Sequence, residues 1–468
     1  MPVPASVKQL LDKQNVSYSI SESQQAEQHS GVTQLLHEQR LRIVGAARSM
    51  ILQDGQGRTQ VVIPANCLLD MNAVNQLLGR TMRPTTNGEL QSFFDKHKLA
   101  SVPALPRLGG MPTLVDKRLL EQEQVLLDSG ADELLEVGGE DFGLLVADAQ
   151  VADVCVPLLE LENRLQAAGS DEDEIFKAVK NFTSKRIKQR LEETLELPPL
   201  PETAQRIIKL RVDPNADISD LANIVETDPS LAAQVVSWAS SPYYSAPGKI
   251  KSIHDAIVRV LGFDMVLNLA LGLALGKTME MPKDGPNGST PYWQQAVYNA
   301  ATVEGLVTAI PREKRPGFGM AYLSGLLHNF GWLILAEVFP PHFTNICRSM
   351  EANRHAPPHL VEFHILGVTR EQMSSWLMQL WNMPEEVVVA LRHQSSLDSE
   401  MEYGEYAKLL YVAQRLLQQR GIGQGPRLEI PDSVYRQLHL DPDKAEQTVE
   451  TILASSSDLD NIANQLSG

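Results

Sequence analysis

One imidazole and one amide stand side by side inside an otherwise apolar stretch, Leu323-Ser324-Gly325-Leu326-Leu327-His328-Asn329-Phe330-Gly331. Leu323, Leu326, Leu327 and Phe330 recur at i, i+3, i+4 and i+7. The spacing predicts one helix that buries this face and carries His328 and Asn329 along its edge. A neutral imidazole nitrogen is a good ligand for a divalent cation. The amide beside it is neutral and offers only a weak carbonyl oxygen, so the pair alone lacks the anionic charge that would hold a metal. Four further histidines invite the same test: His355, His359 and His364 around Ala356-Pro357-Pro358, and His393 after Arg392. No acid or cysteine completes a tetrahedral set at ligand spacing, so each is expected to be a helix-end or core residue. Trp376 and Trp381 are expected in a helical core.

Composition bounds the elements that must position these residues. A chain of 468 residues, 43% hydrophobic and 21% charged, is long enough for roughly two to four domains. The apolar run Met265 to Leu275 is about half of the roughly twenty residues that span a bilayer, so no membrane segment is expected. The start Met1-Pro2-Val3-Pro4 lacks a basic region followed by an apolar core, so no signal peptide is expected. Three widely spaced cysteines, Cys67, Cys155 and Cys347, fit reduced thiols in the cytoplasm and exclude a zinc ribbon. A net charge of −17 argues against bulk nucleic-acid binding.

Residues 1–155 read as a mixed α/β unit. Ala5 to Gln14 suits a helix with Val7, Leu10 and Leu11 on one face, and Ala47–Leu52 and Thr59–Ile63 flank Asp54-Gly55-Gln56-Gly57 as a hairpin. Leu68 to Leu78 suits a helix, Asn87 an N-cap with Glu89 in the first turn, and Thr113–Asp116 and Gln124–Leu127 short strands. This order of elements resembles the YbaK-like aminoacyl-tRNA deacylase domain, the prolyl-tRNA-synthetase-associated domain, over roughly Ser6 to Val154. The resemblance implies a Lys at the start of the strand after the first helical part, where this chain has Arg48. It implies a Gly-rich pocket segment ending in Pro, which stands here as Leu99-Ala100-Ser101-Val102-Pro103, with Ser101 among the replacements and Pro103 kept. Arg is a permanently charged fork and no drop-in for a Lys ammonium, and side chains in place of glycine crowd a close backbone approach. The pocket is therefore expected to be degenerate.

Residues 156–194 turn polar and helical. The acidic, Gly-containing run Ala168 to Glu174 reads as linker with a solvated face, and Lys185 to Arg190 as the exposed side of a helix. From Leu197-Pro198-Pro199-Leu200-Pro201 the chain is all helix, with start signals at Ser219-Asp220, Asp228-Pro229-Ser230 and Ser252-Ile253-His254-Asp255 and a stop at Leu261-Gly262. These motifs, with Ala239 to Tyr244 between them, resemble the HDOD family, the HD-related output domain of bacterial signalling proteins. The resemblance implies an HD-like helical bundle over 195–400, and residues 401–468 are expected to be a helical extension packing on it. In HD-type phosphohydrolases a His, a His-Asp pair and a later Asp hold the metal. At those positions this chain has Gln295, His328, Asn329 and Gln414, so one of four ligands survives and both carboxylates are gone. The amides are expected to hydrogen-bond one another and His328 without metal.

Two enzyme-like domains that have each lost residues their chemistry needs point to recognition in place of reaction. The expected protein is a cytoplasmic bacterial signalling adaptor, a pseudoenzyme without cofactor, whose bundle meets a signalling protein. Residual aminoacyl-tRNA deacylation, or the sensing of a phosphate-bearing nucleotide, remain as alternatives.

Overall fold

A computed structural model describes residues 3–20, 45–131, 133–182, 199–245, 248–396 and 401–467. They form two compact units. The first comprises Met1–Ala168 with Gly285–Asn287 and Thr344–Ile365; the second comprises Gly169–Asp284, Gly288–Phe343 and Leu366–Gly468. The basic run Lys185 to Arg190 and the Leu197-Pro198 pair lie outside the described residues.

The first unit is α/β. Its strands are β1 (Tyr18–Ile20), β2 (Ala46–Asp54), β3 (Gly57–Pro64), β4 (Cys67–Leu69), β5 (Arg83–Pro84), β6 (Thr113–Asp116), β7 (Gln124–Asp128), β8 (Leu134–Gly138), β9 (Gln150–Ala152) and β10 (Cys155–Pro157). The large sheet runs β1-β8-β7-β2-β3-β6-β9 with β5 on β2, and β4 pairs with β10 in a small sheet. The expected hairpin is β2–β3, closed where Asp54 Oδ1 accepts from the Gln56 and Gly57 amides at 2.8 and 3.1 Å. Alternation sends Ala47, Val62, Val125 and Leu127 into one core with Val7 and Leu11 of the Ala5–Lys13 helix. It sends Met50, Leu52, Val61 and Ile63 into another, where Ala352 also packs. Two boundaries differ from the sequence reading. Cys67–Leu69 is a strand, and the helix starts only at Met71 because Asp70 caps the Asn72 and Ala73 amides. Thr86, not Asn87, caps the Asn87–His97 helix, in a capping box with Glu89.

The second unit is helical, and its caps follow elementary chemistry. Asp217 caps Ile218–Glu226, one turn ahead of the expected start, and Asp228 caps Pro229–Ala239 with Pro at the first helical position. Ser252 caps Ile253–Ala256, which continues as a π-helical stretch, Ile257–Leu261, and ends at Gly262 with φ +81°. Phe263–Gly276 is buried along nearly its whole length. The stretch Phe318–Val338 is apolar and long enough to cross a membrane, and most of it is buried in the bundle. The Pro442–Ala454 and Ser456–Ser467 helices pack on Tyr292–Ala309, where Tyr298 and Gln294 both donate to Asp460, at 3.0 and 2.7 Å. Asp171 is no solvated linker residue. It opens a helix, Asp171–Phe182, and pairs with Arg392 Nε at 2.5 Å while accepting from Gln372 at 2.8 Å.

Candidate functional site

The His328-Asn329 pair does not lie along one continuous helix. Phe318–Leu327 ends at His328, and Asn329, with ψ near 14°, turns the chain into a second helix, Phe330–Val338. Both residues are buried instead of lying at an edge. The close approach that buries them is set by glycine: a Cβ on Gly325 would meet Ala300 Cα at 2.9 Å, and one on Gly331 would meet the Arg370 carbonyl oxygen at 2.1 Å.

Their partners are mostly backbone. His328 Nδ1 donates to the Gly325 carbonyl at 2.8 Å, and since a carbonyl only accepts, the proton sits on Nδ1 and Nε2 keeps the lone pair. Burial lowers the His328 pKa to about 4; the Gly325 bond opposes this shift and the charge of Arg370 adds to it. Gln394, which the sequence reading missed, joins the cluster. Its Nε2 donates to the His328 carbonyl at 2.9 Å, and its Oε1 accepts from Gln414 Nε2 at 2.6 Å. Gln295 donates to the Thr290 carbonyl at 2.6 Å and Asn329 to the Tyr292 carbonyl at 3.3 Å. Asn329 Oδ1 is buried and accepts no hydrogen bond among the described residues. Gln414 thus reaches His328 through Gln394, while Gln295 and Asn329 bond the backbone leading into Tyr292–Ala309 and not the other amides as expected. The set does not fit a divalent cation. One imidazole lone pair is its only strong donor, and no carboxylate supplies charge. Among the described residues no three His, Cys, Asp or Glu side chains converge as a ligand group.

Glu304 lies nine residues, about two and a half turns, beyond Gln295 on the Tyr292–Ala309 helix. Tyr244 donates to it at 3.4 Å and itself accepts from Trp238 Nε1 at 3.1 Å. Burial raises the Glu304 pKa to about 7, partly offset by the Tyr244 bond. A lone acid in Ala300-Ala301-Thr302-Val303-Glu304-Gly305-Leu306 was the available sequence signal.

In the α/β unit, β2 and β7 run parallel with Ala46 beside Leu126 and Ala47 beside Leu127, so the next step sets Arg48 beside Asp128. Neither the spacing of Arg48 nor that of Asp128 announces this pairing. Asp128 Oδ1 accepts from the Gly130 amide at 2.7 Å and from Ser101 Oγ at 3.2 Å. Burial pushes the Asp128 carboxyl up and lowers Arg48 to about 10, and the attraction between the two charges opposes both shifts. A Cβ on Gly130, φ +79°, would meet Leu99 Cδ2 at 2.7 Å and Pro103 Cβ at 3.4 Å, so the Leu99–Pro103 segment sits directly against that glycine. The Pro103 carbonyl accepts from Gln60 Nε2 at 3.0 Å. Arg48, Ser101 and Pro103 are therefore brought around Asp128 and Gly130. Arg48 also donates to His355 Nδ1, and His355 Nε2 donates to the Cys67 carbonyl at 2.9 Å. His364 Nε2 lies 3.2 Å from Asp70 Oδ2. Trp376 and Trp381 are buried, against Phe176 and Phe330 respectively.

The HDOD domain family matches residues 197–397, and the aminoacyl-tRNA editing domain family matches residues 26–142. A candidate signal transduction protein from Marinobacter aquaeolei VT8 is 42% identical over 99% of this chain and 100% of its own, with a TM-score of 0.87. A candidate phosphohydrolase from Shewanella amazonensis SB2B is 19% identical over 61% of this chain and 99% of its own, TM-score 0.47. An uncharacterized protein of Treponema pallidum (strain Nichols) is 24% identical over 270 residues, 57% of this chain and 51% of its own length. The chain spans about half the length of that relative.

Proposed function

The chain belongs to the HDOD family and carries an aminoacyl-tRNA editing domain ahead of the HDOD bundle, and from that premise we propose that it is a non-catalytic signalling adaptor of the bacterial cytoplasm. The bundle, residues 195–400 with its extension 401–468, holds a signalling protein partner. The editing-like domain, residues 1–155, binds a ligand without cleaving it, and 156–194 joins the two. One observation carries the reading: at the positions where HD hydrolases place metal ligands, three of four groups are amides, and their hydrogen bonds go to backbone carbonyls or to Gln394. A neutral amide offers a cation only a weak carbonyl oxygen and none of the anionic charge that a carboxylate brings. The test is elemental analysis of full-length protein purified without chelator, beside a phosphodiesterase assay with manganese or magnesium. Little bound metal and no hydrolysis are expected. Near-stoichiometric metal with hydrolysis abolished by His328→Ala overturns the reading.

A second reading, residual aminoacyl-tRNA deacylation, is favoured by one feature: the editing-like unit keeps a charged pair, Arg48 and Asp128, at its degenerate pocket. A panel of misacylated tRNAs with an Arg48→Ala control separates the two. Ester cleavage that disappears in the variant selects the second. A nucleotide sensor in the bundle would show itself as a rise in melting temperature with cyclic dinucleotides.

A further inference from the structure

Thr344–Ile365 lies inside the HDOD match in sequence and yet clusters with the α/β unit. It is tied there at several points. Asn353 Oδ1 accepts from the Leu69 amide at 2.7 Å, and its Nδ2 donates to the Leu69 carbonyl at 3.0 Å. A side-chain amide here makes the two bonds that a neighbouring strand would make to β4. Ala352 fills the core beside Met50 and Leu52.

The turn that follows meets Arg48. His355 Nε2 donates to the Cys67 carbonyl, so Nδ1 carries the lone pair that accepts from the Arg48 guanidinium. The Ala352 carbonyl oxygen, 3.5 Å from Arg48 Nη1, is a second acceptor at the long limit of a hydrogen bond. Both acceptors face the same nitrogen, Nη1, so the turn holds one arm of the guanidinium at a place that a carboxylate oxygen would otherwise take.

We propose that the Ala352–His355 turn is a built-in occupant of the Arg48 site, standing at Nη1 where an oxygen of a carboxylate ligand would meet the guanidinium, so that the α/β unit takes up such a ligand only when the turn is displaced. The inference rests on the reading that this unit binds without cleaving. Uptake is then weakened by the fraction of molecules in which the turn is closed.

Phenylglyoxal labelling of full-length protein, read by mass spectrometry at Arg48 with Arg312 as the exposed reference, tests the occupancy. Arg48 is expected to react at least tenfold more slowly than Arg312 in the native protein. It should gain at least tenfold in His355→Ala and in Asn353→Ala, which loosens the turn without touching Arg48, while Arg312 is unchanged. Equal rates at Arg48 and Arg312 in the native protein overturn the proposal even if both variants fail to fold. Unchanged Arg48 rates in folded variants overturn it as well. Acetate is the ligand probe: it should protect Arg48 in the variants at concentrations that leave the native rate unaltered. Labelling that rises without acetate protection removes the binding reading while the turn's cover of Arg48 stands.

Discussion

The two polar clusters are built from opposite materials. In the bundle the groups are neutral: His328 with a depressed pKa, and glutamines and an asparagine bonded mainly to carbonyls. In the α/β unit they are charged, Arg48 beside Asp128, and His355 lies against Arg48. A buried neutral network needs only complete hydrogen bonding to be stable. A buried charged pair stays costly unless each charge keeps its partner. The two sites should therefore respond very differently to mutation and to pH.

Arg48→Met offers the largest contrast. It keeps the bulk of the side chain and strands the Asp128 carboxylate without its cation, which should cost the α/β unit about 3 kcal/mol at neutral pH. Calorimetry on the full chain would register this as a fall in the transition that tryptophan fluorescence does not see, since Trp238, Trp293, Trp332, Trp376 and Trp381 all belong to the bundle unit. A neutral result would mean that Asp128 does not depend on Arg48 and that the α/β site is as self-contained as the bundle's.

Acid divides two of the bundle's titrating groups. Glu304, raised from 4.5 to about 7, contributes stability that is fully present below pH 4.5 and lost as pH rises through 7. His328, lowered from 6.5 to about 4, contributes stability present above pH 6.5 and lost as pH falls through 4. Each shift corresponds to about 3 kcal/mol, and over pH 7 to 4 they oppose one another. In Glu304→Gln only the His328 loss remains. Urea unfolding followed by tryptophan fluorescence should then show the variant losing about 3 kcal/mol more than the native protein between pH 7.5 and 4. Parallel pH curves would show that the Glu304 carboxyl is not held protonated near neutrality.

Sequence alone reached the local features and stopped at the long-range ones. The β2–β3 turn, the Asp228 cap and the Gly262 stop are each encoded within a few residues. The break at His328-Asn329 was hidden because Leu323, Leu326, Leu327 and Phe330 keep helical period straight across it, and period does not register one residue with ψ near zero. Asp128 was invisible because its partner depends on strand register. The attachment of Asn353 and His355 to β4 joins positions nearly three hundred residues apart. The motif that named His328, Asn329, Gln295 and Gln414 did not name Gln394, whose bonds to His328 and Gln414 depend on where its helix packs.

Gln394→Ala sharpens the bundle side of the contrast. It removes the donor to the His328 carbonyl and the acceptor of Gln414, leaving buried groups unpaired, and should cost about 2 kcal/mol in fluorescence-monitored unfolding. Gln394→Glu keeps the acceptor for Gln414 but loses the amide donor and places a charge in a neutral network. It should be worse than alanine at pH 8 and recover as the pH is lowered.

The smallest expected effect lies next to the largest motif. Asn329 makes one long bond, 3.3 Å to the Tyr292 carbonyl, while its buried Oδ1 accepts none from the described residues. Replacing it by alanine forfeits that weak bond, worth at most about 1 kcal/mol, and also removes a buried acceptor whose desolvation costs about as much. The two nearly cancel, so Asn329→Ala should change bundle stability by less than about 1 kcal/mol, in contrast to its neighbour Gln394. A loss above about 2 kcal/mol would mean that Oδ1 has a partner in solution, a bound cation or an ordered water. Repeating the measurement after treatment with a chelator separates them: a loss that vanishes with the metal would return the bundle to the company of metal-binding HD sites, while one that persists would assign the partner to water and leave the site neutral.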